Sequence, residues 1–346
     1  MTAMTLKRIL GIAGVAFLAA AGPALAQVKS PTLDAVRKRG ELFCGVDTGI
    51  PGFAFQDSAG KWNGLDVAYC RAIAAAVLGN PDKVKYVGVT TKVRFTVLQS
   101  GEIDVLVRDS TLTFTRDTQL NLDQVAVNFY AGQAFMVKKA LNVASAKELN
   151  GATICMLTGA TLELNIADYG AANNIKIESL LFEKPEEAFA AAEAGRCDGY
   201  TDDSGSVAAA RSTMKSPGDW TILPDVISKE PLGIHAREGD DKWADILKWV
   251  HYVLLTAEEL GVTKANVDQI KGSNPKDPTM RRLLGLEGDF GAQLGLDNTW
   301  SFNAIKAVGN YGEIYDEFFG PKALGLPRGL NNLWNKGGLQ YALPIR

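Results

Sequence analysis

The order of apolar and amphipathic runs limits the fold of this chain more than any other feature. Between residues 32 and 211, short apolar runs typical of buried strands alternate with helical runs that end at Gly or near Pro. Because strands that alternate with helices pair mainly in parallel, this order predicts an α/β fold with largely parallel strands. The predicted strands are 41–46, 84–89, 103–107, 153–157, 177–181 and 197–201, and the predicted helices are 32–39, 65–78, 95–100, 161–169, 185–194 and 203–211.

The pattern divides into two similar α/β units, and the second begins near Ala140. Two extended segments, near 135–138 and 227–233, are predicted to link the units, and the chain length also suggests about two domains. From Asp241 onward apolar residues recur at i, i+3, i+4 and i+7, which predicts an amphipathic helix that faces a core. We expect the tail, 285–346, to pack as ordered structure over the first unit.

The N-terminus has the pattern of a secretory signal. Lys7 and Arg8 form a short positive start, Ile9–Ala21 is apolar, and Ala24-Leu25-Ala26 is a small-x-small cleavage site. The first 26 residues are therefore predicted to be a signal peptide, with the mature chain beginning at Gln27 in the periplasm. An uncleaved membrane anchor is the alternative, although the apolar run is short for a membrane span.

The net charge argues against a nucleic-acid-binding protein. The full chain carries a formal charge of −3, which becomes −5 when Lys7 and Arg8 leave with the signal peptide. A nucleic-acid binder would show a basic stripe, and this mildly acidic, mixed-charge chain has none. No nucleic-acid partner is therefore expected.

Four cysteines remain in the exported part of the chain. An even count in an oxidising compartment permits disulfides. Cys44 and Cys70 belong to one early βα unit, and Cys155 and Cys197 both lie in strand-like runs of the second unit, so we predict the pairs Cys44–Cys70 and Cys155–Cys197. Four buried thiols are the alternative. The spacing does not match a zinc site, and no metal or cofactor is expected.

Arg116 is the most informative single side chain. It lies in a hydroxyl-rich stretch that is predicted to be a loop after the strand 103–107. A guanidinium fork donates two parallel hydrogen bonds to the two oxygens of a carboxylate, so a cleft lined by this loop would hold small carboxylic acids. A surface ion pair between Arg116 and Asp117 or Asp123 is the alternative.

Several motifs together are typical of one protein family. They are Gly64-Leu65-Asp66-Val67, Arg94-Phe95-x-x-Leu98-x-x-Gly101-Glu102-x-Asp104, Gly195-Arg196-x-Asp198, Val308-Gly309-Asn310-Tyr311-Gly312-Glu313-Ile314-Tyr315 and Gly337-Gly338-Leu339-Gln340-Tyr341. On these residues the chain resembles family 3 of the bacterial extracellular solute-binding proteins, and within it the general L-amino-acid-binding subunits of polar amino acid ABC importers. Ala68 stands where the family pattern has a second Asp, which is not a ligand contact in the family. The resemblance covers nearly the whole mature chain.

The resemblance implies the two-lobed periplasmic-binding-protein fold of type II, often called a Venus flytrap. Two lobes are joined by a hinge, and the ligand is clamped in the cleft between them, as small molecules often are at domain junctions. The implied division is 27–137 for the first part of lobe 1 and 138–230 for lobe 2. Residues 231–346 then return to lobe 1 and add a C-terminal helical extension.

The resemblance also implies which residues grip an amino acid. Arg116 matches the arginine that binds the ligand α-carboxylate, Thr111 matches a hydroxyl beside it, and Thr161 matches a threonine whose N–H and hydroxyl face the same carboxylate. Asp203 matches the acid that binds the α-ammonium, and Asp202 takes that role if the register shifts by one residue. The chemistry agrees, because Thr161 begins a predicted helix and a zwitterion needs a partner for each charge. A plain helix N-cap is the alternative for Asp203.

The same stretch is expected to choose among ligand side chains. Arg108 looks toward the ligand side chain, where a cation would favour glutamate, aspartate or glutamine. Asp109 stands where the subfamily leads us to expect Asn, and an acid there either neutralises Arg108 or favours a basic side chain. Broad polar specificity is the simplest interpretation. Phe53 either stacks on the ligand or belongs to the core, and Thr91 is a candidate for the pocket wall.

The sequence therefore predicts a monomeric periplasmic receptor that captures L-amino acids and delivers them to the permease of an ABC transporter. An enzyme on the same scaffold, similar to a cyclohexadienyl or arogenate dehydratase, is the alternative and would need Asp109 or Asp202 as its general acid. Ser204-Gly205-Ser206 lacks the Gly-x-Ser-x-Gly pattern of a nucleophile elbow. A sensor ectodomain is disfavoured, because no membrane-spanning or signalling segment follows.

Overall fold

The computed structural model describes residues 29–346. The predicted signal peptide and its cleavage site lie outside the described residues. Within residues 29–346, no helix has both the length and the apolar character needed to cross a bilayer. The described chain forms two five-stranded sheets with helices packed on them, which is the α/β architecture that the alternating pattern predicts.

The first sheet has the strand order β4-β1-β5-β12-β6. β1 pairs in parallel with β4 and β5, whereas β12 runs antiparallel between β5 and β6. The sheet is thus mixed rather than wholly parallel. Its strands are β1 Leu42–Val46, β4 Val84–Gly88, β5 Val105–Thr111, β6 Leu122–Ala131 and β12 Glu230–Arg237, and a small hairpin beside it contains β2 Phe55–Gln56 and β3 Trp62–Asn63.

The second sheet has the order β11-β7-β10-β8-β9. β8 pairs in parallel with β9 and β10, and β7 runs antiparallel to β10 and β11. We call the body around the first sheet the first lobe and the body around this sheet the second lobe. The strands of the second sheet are β7 Gln133–Lys138, β8 Thr153–Leu157, β9 Glu178–Phe182, β10 Gly199–Asp203 and β11 Trp220–Ile222.

The chain passes between the lobes along two adjacent segments. β6 of the first sheet ends at Ala131, and β7 of the second sheet begins at Gln133, so only Gly132 lies between the two strands. A side chain at Gly132 would meet the carbonyl oxygen of Ser228 at 2.5 Å, so the outgoing and returning segments approach closely there. Because β7 belongs to the second sheet, we propose that the first boundary lies at Gly132 rather than at 137–138, and that the return lies just before Glu230.

The helices complete both lobes and the extension. α8 begins where the Asp240 side chain accepts a hydrogen bond from the Trp243 N–H at 3.0 Å, and its apolar stripe is buried, as the spacing predicts. α12 packs on α2, so the tail covers the first lobe as expected. The helices are α1 Pro31–Arg39, α2 Leu65–Leu78, α3 Arg94–Ser100, α4 Phe114–Gln119, α5 Leu162–Asn173, α6 Pro185–Glu193, α7 Ser204–Thr213, α8 Asp241–Glu259, α9 Val267–Gly272, α10 Pro278–Leu283, α11 Phe290–Leu294, α12 Trp300–Val308 and α13 Tyr311–Phe318.

Each lobe contains one disulfide. Cys44 of β1 is bonded to Cys70 of α2 in the first lobe, and Cys155 of β8 is bonded to Cys197 in the second. Both predicted pairs are therefore confirmed. Each bond joins an inner strand to a segment of the same lobe, so neither bond restrains the two lobes relative to each other.

Candidate ligand-binding site

Seven of the eight predicted ligand residues line one small cavity between the lobes, and Phe53 is the exception. The first lobe contributes the C-terminal end of β5 together with α3 and α4. The second lobe contributes the start of α5 and the end of β10. The cavity has a volume of about 20 Å³. It is far smaller than the roughly 300–1,000 Å³ of typical small-molecule pockets.

Arg116 lies on a short helix rather than in the predicted loop. α4 begins after Thr113, whose side chain accepts a hydrogen bond from the Arg116 N–H at 3.2 Å. The guanidinium donates to the Thr111 carbonyl oxygen at 2.7 Å and to the Gly159 carbonyl oxygen of the second lobe at 3.4 Å. Burial lowers the pKa of Arg116, while the charges of nearby carboxylates raise it. The surface ion pair with an aspartate of its own stretch is not formed in the described chain.

A second arginine, Arg94, lies beside Arg116 and was not predicted as a site residue. It is 2% exposed and donates to the carbonyl oxygens of Thr91 and of Gly159, the latter at 3.5 Å. The guanidinium carbons of Arg94 and Arg116 lie 4.4 Å and 5.0 Å from the centre of the same Phe95 ring. The Arg94 Nε atom is buried without a hydrogen-bond partner. Two guanidinium groups therefore converge where the resemblance puts an α-carboxylate.

Glu230 is a further buried group that sequence reasoning missed. It lies at the start of β12, where the chain returns to the first lobe, and it is 2% exposed. Its carboxylate accepts hydrogen bonds from Thr111 of the first lobe and from both Thr161 and Asn165 of the second, the last two at 3.0 and 2.7 Å. Ser228 donates to it as well, at 2.6 Å. The carboxylate thus connects the two lobes, and the two predicted threonine hydroxyls already donate to it.

Of the two adjacent aspartates at the end of β10, Asp203 is the one with a carboxylate oxygen that lacks a hydrogen-bond partner. Asp203 is the residue before α7, yet its side chain makes no capping hydrogen bond, and its Oδ1 atom is buried without a partner. The oxygens of Asp202 accept from the Tyr200 hydroxyl and from the Asp203 N–H. Burial raises the pKa of Asp203 well above its usual value and that of Asp202 to about 6. An ammonium group in the cavity would give the Asp203 carboxylate the partner that it lacks.

Arg108 lies in β5, which continues through Thr111, so the first part of the hydroxyl-rich stretch is strand where a loop was predicted. Its guanidinium forms ion pairs with Asp47 and with Asp109, the latter at 3.2 Å, and donates to the Thr91 hydroxyl at 2.8 Å. Asp47 is fully buried and was not predicted as a site residue. Arg108 therefore already has two carboxylate partners before any ligand binds.

Phe53 is a core residue in this structure. Its ring is fully buried and packs edge-on against the rings of Phe129 and Phe319, with centroid distances of 5.0 and 4.8 Å. It does not line the cavity, and its ring also lies close to Gly205 of the second lobe, so stacking of Phe53 on a ligand stays a prediction. In residues 29–346, no group of His, Cys, Asp and Glu side chains has an arrangement that could hold a metal ion.

Comparisons with known proteins agree with this geometry. A profile described as bacterial extracellular solute-binding proteins, family 3, matches residues 42–284. The glutamate/glutamine/aspartate/asparagine-binding protein BztA of Rhodobacter capsulatus is 53% identical over 91% of this chain and 93% of its own length. The general L-amino acid-binding periplasmic protein AapJ of Rhizobium johnstonii is 51% identical over 96% of this chain and 97% of its own length.

A solved structure shows the same fold. The periplasmic binding protein of an ABC transporter from Brucella ovis, with glutathione bound, is 49% identical and superposes with a TM-score of 0.88. The match covers 91% of this chain and 99% of the Brucella chain. The predicted two-lobed periplasmic-binding-protein fold is confirmed by this likeness. The names of these relatives describe binding and transport, and none describes an enzyme.

Proposed function

Since this chain belongs to family 3 of the bacterial extracellular solute-binding proteins, we propose that it captures L-amino acids in the periplasm and delivers them to an ABC importer. The observation that carries the proposal is the pair of opposite charges across the cavity. Arg116 of the first lobe and the unpaired oxygen of Asp203 in the second lobe line the same small space. An α-amino acid carries one charge for each of them. The dehydratase alternative has no support among the relatives.

The α-carboxylate is proposed to bind between Arg116 and the start of α5. The guanidinium offers a fork, and the first N–H groups of a helix favour an anion. Thr161 precedes α5 directly, so its backbone and the next residues present these groups to the cavity. Because the hydroxyls of Thr111 and Thr161 donate to Glu230, we assign the carboxylate to backbone N–H groups rather than to the two hydroxyls.

The α-ammonium is proposed to bind the Asp203 carboxylate. Burying a charge without a partner is costly, so a zwitterion that brings an ammonium to Asp203 and a carboxylate to Arg116 is favoured over a simple acid or amine. Charge-assisted hydrogen bonds contribute about 1.5–3 kcal/mol each. After the cost of association, a set of four or five such contacts would give about −8 kcal/mol, which corresponds to roughly micromolar affinity.

Ligand entry requires that the lobes separate. A cavity of about 20 Å³ does not hold an amino acid, so the two lobes must move apart from the described arrangement to accept one. We propose that the two segments near Gly132 and Ser228 act as the hinge, and that the ligand stabilises closure through its contacts with both lobes. The permease of the importer is proposed to recognise the closed monomer, and ATP is hydrolysed by another subunit.

The direct test is calorimetry of the purified mature protein with a panel of L-amino acids. We expect at least one of them to bind with roughly micromolar affinity and its D-enantiomer to bind far more weakly, because inversion exchanges the positions of the ammonium and the side chain. Glutathione belongs in the panel, since its γ-glutamyl end carries an α-ammonium and an α-carboxylate. If no member of the panel binds, the proposed function is wrong.

Replacing Glu230 with Ala is expected to weaken amino-acid binding by roughly 30-fold, or about 2 kcal/mol, because Thr161 and Asn165 lose the acceptor that connects them to the first lobe. Calorimetry measures the affinity, and small-angle scattering measures how far the ligand-free protein opens. The affinity of Glu230→Gln, which keeps an acceptor, should lie between those of the wild type and Glu230→Ala. Glu238→Ala, at an exposed position just after β12, is the control and should bind normally. Unchanged or tighter binding by Glu230→Ala would contradict this role.

A further inference from the structure

The cation that faces the ligand side chain is already neutralised. All three nitrogen atoms of the Arg108 guanidinium have partners: Nε donates to the Val89 carbonyl oxygen at 3.0 Å, Nη2 donates to the Thr91 hydroxyl and pairs with Asp47, and Nη1 pairs with Asp109. The side chain is buried. An acidic ligand would therefore have to compete with two carboxylates that are fixed in place.

Carboxylates outnumber cations at this end of the cavity. Burial lowers the pKa of Arg108, but the combined charges of Asp47, Asp109, Asp202 and Asp66 raise it above its usual value, so all four lie close enough to act on it. Asp66 lies behind Asp109 and accepts its N–H at 3.3 Å. Four buried carboxyl groups therefore act on Arg108, and the charges of Asp47 and Asp109 also raise the pKa of Arg94, which burial lowers.

The other two arginines of the cavity donate to backbone carbonyl groups, and Arg94 shares Thr91 with Arg108 as a hydrogen-bond partner. Arg94 and Arg116 both donate to the Gly159 carbonyl oxygen and both lie over the Phe95 ring. Neither forms an ion pair with a carboxylate within the described part of the chain. Among the described residues, Arg108 is thus the one cavity arginine that forms ion pairs with carboxylates, which leaves Arg94 and Arg116 for the proposed α-carboxylate.

The carboxylate excess has a physical consequence for the ligand-free protein. Buried carboxylates without enough cations are held partly neutral, and burial raises the pKa of Asp66 to about 7 and that of Asp202 to about 6. A further negative charge in this place would be opposed by the fraction of these groups that is ionised. A positive charge would be a partner for Asp109 and Asp202, both of which line the cavity.

We propose that the side-chain end of the cavity receives a cationic group, so that this protein prefers L-amino acids with a positively charged side chain, such as lysine and arginine, over glutamate and aspartate. The inference rests on the proposed function, because it assumes that the α-carboxylate and α-ammonium occupy the Arg116 and Asp203 positions. Asp109 and Asp202 contact the cation, and Asp47 acts as a positioning residue that holds Arg108 aside. The preference differs from the acidic and amide ligands in the name of the Rhodobacter relative.

The first experiment uses the wild-type mature protein. Affinities for L-lysine, L-arginine, L-glutamine and L-glutamate are measured by calorimetry at pH 7.5. We expect lysine or arginine to bind at least ~10-fold more tightly than glutamate, with glutamine between them, because a single unit charge in a partly buried site contributes at least that much. If glutamate binds as tightly as the cationic amino acids, this inference is overturned while the proposed function stands. If none of the panel binds, both fail.

The second experiment removes charge at constant shape. In the variant Asp109→Asn/Asp202→Asn, the ratio of the lysine to the glutamate affinity should fall at least ~10-fold, since two carboxylates become neutral and Arg108 gains freedom to accept an acid. Asp82→Asn, on the exposed surface of the first lobe, is the matched control and should leave the ratio unchanged. A ratio that stays constant in a folded double variant would overturn the inference. If the double variant does not fold, the wild-type ratio still decides.

Discussion

Replacing Arg116 with Ala is expected to lower the affinity for every L-amino acid that binds by at least ~100-fold. Truncating one member of a buried, hydrogen-bonded charge pair costs about 2–5 kcal/mol, because the ligand carboxylate is left in the cavity without its counter-ion. The loss should not depend on the ligand side chain, since Arg116 is proposed to hold the α-carboxylate that all amino acids share. Calorimetry with three amino acids of different side-chain charge measures both the size and the uniformity of the loss.

Two further variants show whether the effect comes from the fork or from its charge. Arg116→Lys keeps a cation but loses the bidentate geometry, so its affinity should lie between those of the wild type and Arg116→Ala. Arg37→Ala, on the exposed face of α1, is the control and should bind normally. An Arg116→Ala protein that is folded by circular dichroism and still binds with wild-type affinity would contradict the assignment. In that case Arg94, which lies over the same Phe95 ring, would be the carboxylate receptor.

The fold could be predicted well where the signal is local. The spacing of apolar residues in α2 and α8, and the glycines and prolines that end the short helices, depend on neighbours in the sequence. The disulfides could also be predicted, because each joins two segments of one lobe. Such features need no knowledge of the partner lobe.

Three strands of the first sheet were not predicted as they are, since part of β12 was taken as a link between the units, and β5 and β6 show the physical reason. β5 was predicted to end before Arg108, because Arg108, Asp109 and the hydroxyls that follow are polar, yet the strand continues through Thr111. The ion pairs of Arg108 are what allow so polar a segment to be buried. β6 was not predicted at all. Its polar residues include the buried Asn128, whose side chain donates a long hydrogen bond, at 3.5 Å, to the buried Asp66. Both strands depend on partners that the local sequence does not reveal.

The missing site residues have the same explanation. Arg94 was quoted only as part of a motif, and the role of Glu230 depends on Thr111, which lies 119 residues earlier in the chain. A glutamate that is followed by Pro and by apolar residues was a usable signal, because a lone charge at the start of a buried strand needs a partner. The sequence indicated Arg116 and Asp203 as the two poles of the site, and both line the cavity. It offered neutralisation of Arg108 by Asp109 as one alternative, but it did not indicate Asp47, whose contact with Arg108 requires the folded arrangement.

Removing the disulfide of the second lobe, by Cys155→Ala/Cys197→Ala, is expected to destabilise that lobe by about 4 kcal/mol. The two cysteines are 42 residues apart, and closing a chain segment of that length restricts the unfolded state by about this amount. The second lobe is sensitive to such a loss, because its core is divided into two modest clusters on either side of its sheet. Denaturant unfolding, monitored by hydrogen exchange in each lobe separately, measures the loss of stability and shows which lobe loses it.

The variant Cys44→Ala/Cys70→Ala is the matched comparison, since it removes a disulfide from the other lobe. Its cysteines are 26 residues apart, so the expected loss is about 3.5 kcal/mol and should appear in the first lobe. The first lobe shares one large core with α8 and the C-terminal helices. We therefore expect it to stay folded without its disulfide more readily than the second lobe does. The Cys155→Ala/Cys197→Ala variant should therefore unfold in two steps, with the second lobe first. Its affinity for an amino acid should also fall, because closure needs a folded second lobe opposite Arg116. A single transition at the wild-type denaturant concentration would show instead that the packing of Met136, Tyr200 and Trp220 holds the second lobe together without the bond.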